Sequence, residues 1–462
     1  MSRATAVKAA LRSRRAPLVA AAAVLVLCGL SSRVWPTPLL SPQCQPQRSY
    51  QAHVELGGSA RGGAPAAARR WAEVRRCLSL PAPCSSEVAR ELAASPPPYS
   101  ELRAHYDEML ALTAPLRGLP MHSYAGWRGP WIENEWIAAA ACTDFSAFYP
   151  LVPLFVQSTD ACVMRDRMPS VGRALLELVR GMRRDVVYVI VAQDDSGLCF
   201  LPPEEDCAAR NILVLSSGGW GNVALPLIRS EIAPDDFGGG PPPAAPDARS
   251  GAYERGTLIS FAGLLDTSPD GTRRAAVAAL RSAGLVSDAH FRHFYGGSEW
   301  KTIVHDTALP LAPRGYGRAS FRSTELVQMG LPQLYVYGDV PWLPYWDPLQ
   351  PDGRPGRADV WGPDGLGFVA DIAGLGNVTA GLCAAMLPPG MSATPSSCPG
   401  GLPAGPPFRI HARSRLARMR TRALELAASH FTYAGVIARI REFFDTPWDA
   451  DLVCVHKPPL RH

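Results

Sequence analysis

The chain has 462 residues, 47% of them hydrophobic and 19% charged, a composition that buries a sizeable core and excludes an intrinsically disordered chain. Glycine and proline number 41 and 45, less than the share of ~25–30% that marks low complexity, though enough for long turns and linkers. A net charge of +5 is too thin over this length to indicate nucleic-acid binding, and the dominance of arginine over lysine (Lys8, Lys301 and Lys457) is coding background rather than function.

Residues 16–32 carry no charge, follow Arg12, Arg14 and Arg15, and end at Arg33. The run is short for a bilayer span of ~20 residues and long for a signal-peptide core of ~7–15. Basic residues on its N-terminal side keep that end cytosolic. The expectation is a cytosolic tail at 1–15, a signal-anchor transmembrane helix at 16–32 and a luminal remainder, with a cleaved signal peptide or a transit peptide as alternatives. Residues 33–100, rich in proline, alanine, glycine and serine, read as a stem with a short helix near 66–77.

A first folded portion spans 101–237. Trp127, Trp131 and Trp136 stand among Glu133 and Glu135 within ten residues, as an acceptor platform for sugar rings or as core packing. Val171, Leu175, Leu178 and Met182 fall at helical spacing, and the apolar run 186–192 reads as a buried parallel strand. A second strand is expected at 212–215. Residues 238–252, with Gly-Gly-Gly-Pro-Pro-Pro-Ala-Ala-Pro, read as a linker.

The second portion, 253–445, repeats the pattern: a strand at 258–261, a helix at 272–282, a helix at 320–329 and a strand at 334–337. Arg415, Arg418 and Arg422 lie opposite Leu416, Met419, Ala423 and Leu426 on a further helix, which gives it a solvated face. Residues 446–462 form a tail whose Asp449 and Asp451 mark a surface turn. Two open α/β sheets joined by a linker follow, and ligands of such sheets sit beyond the carboxyl ends of the strands.

Cys28 lies in the apolar run, and the other ten cysteines form an even set, as an oxidising compartment favours. Local pairs Cys77–Cys84, Cys199–Cys207 and Cys383–Cys398 are plausible. No close cysteine or histidine cluster suggests zinc, and His293, His305 and His430 stand alone. Asn377-Val378-Thr379 is a glycosylation sequon.

Gln193-Asp194-Asp195-Ser196-Gly197 follows the first strong strand, so either carboxylate is a candidate general base, with a plain turn as the other reading. Residues 216–222, containing Trp220, are a glycine-rich loop after a strand, fit to wrap a substrate or merely to turn. The densest stretch is 313–325. Its loop opens a helix, where backbone N–H groups and Arg314, Arg318 and Arg322 can meet phosphate oxygens, and where Glu325 can accept from ribose hydroxyls. An Arg322–Glu325 surface pair is the bland alternative.

Residues 311–345, with P-R-G, then S-F-R-S-T-E, a glycine, a strand and Asp339 before L-P, resemble the exostosin-type glycosyltransferases, family 47. Gln193 to Phe200 is similar to the family's H-D-F-G-A-C-F, with Asp194 in place of its histidine. Asp144 to Pro150 and the Ser429-His430-Phe431-Thr432-Tyr433 run agree as well, so the resemblance covers about 124–444.

The resemblance implies a GT-B fold of two Rossmann-like domains facing a cleft, with acceptor bound by the first and nucleotide sugar by the second. It implies inverting, metal-independent transfer of a sugar, from a UDP-linked donor by first choice, to a glycan or glycoprotein hydroxyl. Asp195, then Asp194, would be the base; Arg314, Gly315, Arg318, Arg322 and Glu325 would hold the donor; Trp127, Trp131 and Trp220 would touch acceptor. No metal or other cofactor is expected. The setting would be a Golgi membrane, single-pass type II, with homo- or hetero-oligomers open. The rival is a non-catalytic luminal member that binds glycan or partners an active transferase.

Overall fold

The structure, a computed structural model, describes residues 64–78, 92–122, 129–195, 198, 211–229, 252–296, 299–345, 358–361, 364–394, 398, 402–403 and 405–447. The expected anchor at 16–32, the linker 238–251, Trp127, the Asp449–Asp451 turn and the Cys84, Cys199 and Cys207 positions lie outside them. Among the described residues no helix is long and apolar enough to cross a membrane.

Helices α1 (Ala64–Leu78), α2 (Tyr99–Thr113) and α3 (Ile132–Ala140) precede strand β1 (Val152–Leu154). Helices α4 (Ser158–Met164) and α5 (Pro169–Gly181) then carry the chain to β2 (Tyr188–Ala192), followed by β3 (Ile212–Ser216) and β4 (Val223–Ala224). These four strands form one parallel sheet in the order β1-β2-β3-β4. Every residue of β2 and β3 is buried, as continuous apolar runs require when both faces are covered. Helix α5 opens with Pro169, whose fixed φ suits a first turn, and buries Val171, Ala174, Leu175 and Leu178.

The second half starts with β5 (Ala252–Arg255) and β6 (Ile259–Ala262), then α6 (Thr272–Ser282), β7 (Phe291–Phe294) and α7 (Trp300–His305). Strand β8 (Leu311–Pro313), α8 (Phe321–Gln328), β9 (Gln333–Tyr337), α9 (Ala358–Trp361), β10 (Gly367–Asp371) and α10 (Leu375–Met386) continue the alternation. Strand β11 (Phe408–His411) pairs antiparallel with β5, and helices α11 (Arg415–His430) and α12 (Tyr433–Asp445) close the order.

Strand β6 pairs parallel with β7, and β8, β9 and β10 form a three-stranded parallel sheet. A parallel bridge Thr257↔Thr307 and the Leu309 N–H bond to Leu258 O (3.0 Å) set the pair beside the three. The spatial order is therefore β7-β6-β8-β9-β10. The chain reverses its direction of winding between β6 and β8, and a doubly wound sheet opens its crevice at such a switch point.

Each sheet has its own core. One joins Leu102, Trp136, Phe155, Ile190 and Leu213; the other joins Ile259, Leu280, Leu311, Leu334 and Met419. All described residues belong to one compact unit beginning at Pro46. A small cluster of Ala224, Leu227, Ala319 and Trp342 links residues near β4 to residues near β8 and β9.

Two segments depart from the expected boundaries. Helix α1 lies in the supposed stem, yet Trp71, Val74 and Leu78 are buried in the first core, and Trp71 Nε1 donates to Ala93 O at 2.9 Å. A stem cannot supply that packing, so the folded body begins by Ala64. Helix α12 returns to the first core as well, where Phe444 stacks on Trp136 with centroids 5.8 Å apart. The expected arginine stripe of α11 is held locally: Arg418 pairs with Asp364 at 2.9 Å and Arg422 with Glu425 at 3.1 Å.

Cys383 and Cys398 form a disulfide, as local spacing suggested, and Cys142 and Cys162 each take part in a disulfide. Asn377 is exposed in the first turn of α10.

Candidate active site

The carboxyl ends of the two sheets meet. Strand β2 ends at Ala192 and releases Gln193, Asp194 and Asp195, while β3 ends at Ser216 and releases Ser217, Gly218 and Gly219. Against them lies the loop 314–320, which joins the end of β8 to α8. Gly218 packs on the backbone of Gln193 and Asp194, and Gly317 packs on Gly218 O and on the Asp195 carboxylate, each so closely that a Cβ would collide. Gly219 has φ 114°, open to glycine alone at no strain, and a Cβ there would strike the Arg318 backbone. Trp342 Nε1 donates to Ser216 O at 3.3 Å and so adds a bond across the same seam.

Asp195 sits in this seam and accepts from the Gly317 backbone N–H. Burial, with a smaller push from Asp194, raises its carboxyl to about 7; Gly317 and the Arg314 guanidinium pull the other way. A carboxyl poised near neutrality can take a proton at working pH. The sequence pointed to Asp195 from its place after a strand, and the structure puts it against the arginine loop.

The arginines divide into two groups. Arg314 is 1% exposed, and its guanidinium donates to Asp270 (2.8 Å), Asp339 (3.1 Å) and the Gly317 carbonyl (3.2 Å). Arg318 donates through Nε (2.9 Å) and Nη2 (2.6 Å) to Asp339. Two cations thus meet two carboxylates, so this group is balanced and shapes the loop. Asp270, ahead of α6, and Asp339, after β9, were not singled out as partners from sequence, because pairing across 44 and 25 positions has no local signature.

The second group is not balanced. Arg322 stacks on the Trp300 ring, 3.9 Å from guanidinium carbon to centroid. Its Nη2 donates to Ala262 O (3.2 Å) and its Nη1 lies 3.2 Å from Glu325, as an ion pair without hydrogen-bond geometry. Arg273, in the first turn of α6, donates to the Arg314 and Leu264 carbonyls at 2.8 and 2.9 Å. Arg229, on the segment after β4, reaches Glu325 at 3.6 Å. Burial, reinforced by Arg322, pulls Arg273 down to about 10. Burial also lowers Arg322, with Arg229 adding to the effect and Glu325 opposing it. Arg229 and Arg322 share one carboxylate, and Arg273 adds a third guanidinium beside Arg322 at the carboxyl ends of β6 and β8. Sequence reasoning found Arg322 and Glu325 and missed Arg229 and Arg273, which come from other segments.

The remaining candidates fall as follows. Gly315 bonds through its N–H to Ala319 O (2.7 Å), which closes the loop on itself. Trp131 is 4% exposed with Nε1 on Asp160 at 3.0 Å, so it is core rather than an open sugar platform. Trp220 packs partly buried on the first core, its indole N–H without a hydrogen-bond partner. His293 Nε2 contacts Gly263 O at 2.9 Å, and burial followed by Arg255 and Arg420 lowers His305 to about 4. Neither has the setting of a base. Among the described residues no group of three or more His, Cys, Asp or Glu side chains could hold a metal ion.

No protein-family model and no curated protein matches the chain.

Proposed function

We propose that the chain is an exostosin-like, GT-B-type glycosyltransferase of the inverting, metal-independent kind, which moves a sugar from a nucleoside diphosphate, UDP by first choice, to a glycan hydroxyl. The observation that carries the reading is the excess of positive charge where Arg229 and Arg322 share the Glu325 carboxylate and Arg273 lies close enough to Arg322 to feel its charge, with no other carboxylate paired to the three among the described residues. Holding like charges together in a partly buried place is costly. A diphosphate seated among them relieves that cost through charge-assisted hydrogen bonds, and the switch point of the sheet is where such a ligand belongs.

The chemistry then runs across the seam. Asp195 takes the proton of the acceptor hydroxyl, its oxygen forms a bond to the anomeric carbon, and the bond from that carbon to the diphosphate breaks with its electron pair leaving on the phosphate. Arg322 and Arg273 neutralise the departing charge in the part a metal plays elsewhere. Arg314 and Arg318, first considered as donor ligands, act in this reading by fixing the loop through Asp270 and Asp339. A Golgi membrane setting with the folded body in the lumen accords with the disulfides.

The rival, a non-catalytic glycan-binding or partner protein, draws on the seal that Gly317 places on Asp195. The test is direct: the secreted chain from Arg33 to His462 is screened against a panel of nucleotide sugars, wild type beside Glu325→Gln and Asp195→Asn. Donor binding weakened by Glu325→Gln, which takes away an acceptor for the donor's ribose hydroxyls, and transfer abolished by Asp195→Asn support the enzyme. Absence of any donor binding overturns it.

A further inference from the structure

A second acid lies beneath the proposed base. Glu133, the second residue of α3, is fully buried. Its Oε1 accepts from the Thr159 N–H (2.8 Å) and the Ser158 hydroxyl (3.2 Å), while its Oε2 accepts from the Gln193 N–H (3.1 Å). Gln193 answers by accepting the Ile132 N–H at its Oε1, 3.1 Å away. The start of α3 and the residue that leaves β2 are thus joined by a reciprocal pair of bonds, and Thr159 ties in the start of α4.

Three features make this more than core filling. Among the described residues no cation pairs with Glu133; burial raises its carboxyl, and the charged group it is coupled to is Asp160, another buried acid. An uncompensated carboxyl in that position is expensive compared with an apolar side chain. The donors also approach opposite oxygens. A carboxylate offers an acceptor on both, whereas glutamine would turn an N–H toward either Thr159 or Gln193. Lastly, Asp195 stands two residues beyond the Gln193 N–H that Glu133 holds, and the other face of the 193–195 turn is packed by Gly218.

We propose that Glu133 is a positioning residue for Asp195: through the Gln193 backbone it fixes the strand end from which the base projects toward the seam. The inference rests on the transferase reading for its consequence in turnover, and on geometry alone for its effect on Asp195. The groups facing Asp195 itself are Asp194, Arg314 and the Gly317 N–H, none of which Glu133 touches.

The experiment follows the Asp195 carboxyl by NMR in protein labelled with ¹³C-carboxyl aspartate, its resonance assigned by loss in Asp195→Asn. Wild type is compared with Glu133→Gln and with Gln193→Leu, which leaves the acid in place and breaks the other half of the clamp. The expected result is a midpoint moved by about half a pH unit or more toward the ordinary carboxylate range in both variants. For the donor that wild type uses, kcat falls about 10- to 100-fold with KM for that donor within about twofold. Glu133→Asp, which keeps two acceptor oxygens, restores part of the loss. A midpoint unchanged in either folded variant overturns the positioning role, since simple core filling would alter the melting temperature and leave that titration alone. If wild type turns over no donor, the transferase reading fails while the titration still decides the role of Glu133.

Discussion

The backbone N–H of Gly317 donates to the carboxylate of Asp195, so a loop that follows a strand of the second sheet is seated on the residue that leaves a strand of the first. This bond stabilises the ionised acid, while burial and Asp194 oppose ionisation and prevail, which sets the carboxyl at about 7. The base form therefore predominates only above that value. We expect kcat/KM for transfer to climb as pH rises through about 7 and to level off above it. Asp195→Asn should lower kcat by about 10²- to 10⁴-fold and abolish the climb while nucleotide binding is kept. Undiminished turnover in this variant would place the base elsewhere.

Gly317 has no room for a side chain, because a Cβ would run into Gly218 O and Asp195. Gly317→Ala should push the loop off both strand ends. Transfer should drop at least about tenfold, with the Asp195 midpoint altered in the same protein. An alanine variant that keeps both unchanged would mean that the seam opens freely and that its closure has no part in turnover.

The two arginine groups should answer differently to substitution. Arg273→Gln and Arg322→Gln each remove one charged donor from the unbalanced cluster, at a cost to diphosphate binding of about 1.5–3 kcal/mol, read as a weaker Kd for UDP by calorimetry. Neither should lower the melting temperature much, since each relieves repulsion. Arg314→Gln leaves Asp270 and Asp339 without their shared cation and should destabilise the fold by about 2–3 kcal/mol, short of a fully buried pair because both acids still touch solvent. The reverse pattern, with Arg314 governing affinity and Arg273 governing stability, would exchange the two roles.

Stability should fall as pH rises from the acid side toward neutrality, because two raised acids outweigh His305, whose lowered value of about 4 adds stability with rising pH up to its ordinary pKa of ~6.5. Asp160 is held up to about 7 by burial, with Glu133 adding to the rise and the His122 and Trp131 donors opposing it, and Asp195 titrates at about the same value. For both acids the folded chain keeps its proton where the unfolded chain, with an ordinary pKa near ~4, has lost it. Between about pH 4 and 7 the folded state binds more protons, so stability declines through that window, with a slope on the order of 1 kcal/mol per pH unit for each group. Thermal melts across that range check the slope, and Asp160→Asn should flatten it.

Cys383, in the last turn of α10, is bridged to Cys398, 15 positions on in the stretch before β11. The loop entropy removed from the unfolded chain is worth about 3 kcal/mol. The double change to serine should therefore lower the melting temperature by several degrees under non-reducing conditions, with nucleotide affinity preserved, because none of the donor-side arginines lies in that segment.

Strands and helices were legible wherever one physical signal ruled. The apolar run that became Tyr188–Ala192 could only be a strand covered on both faces, and the amphipathic period of residues 272–282 matched Thr272–Ser282. The place of Asp195 followed from the rule that ligands sit beyond strand ends. What could not be read was partnership across distance. Arg314 and Arg318 looked like phosphate ligands because sequence shows a cation and hides Asp270 and Asp339. Trp131 looked like a sugar platform because its Asp160 contact arises only in the fold. Helix Ala64–Leu78 looked like part of a stem because its alanines and arginines outnumber the buried Trp71 and Val74 that fix it.

The return of the last helix to the first core sets an order of events during synthesis. Tyr433 donates to Pro130 O and Arg441 to Ala139 O, each across some three hundred residues, and Phe444 fills space beside Trp136 and Phe148. The first sheet can assemble early, but its apolar flank waits for the end of the chain to emerge. At a translation rate of about 5–20 residues per second, that surface stays uncovered for roughly tens of seconds. A chaperone that shields apolar surface has its longest opportunity there, and a chain shortened before Tyr433 would leave the flank bare for good.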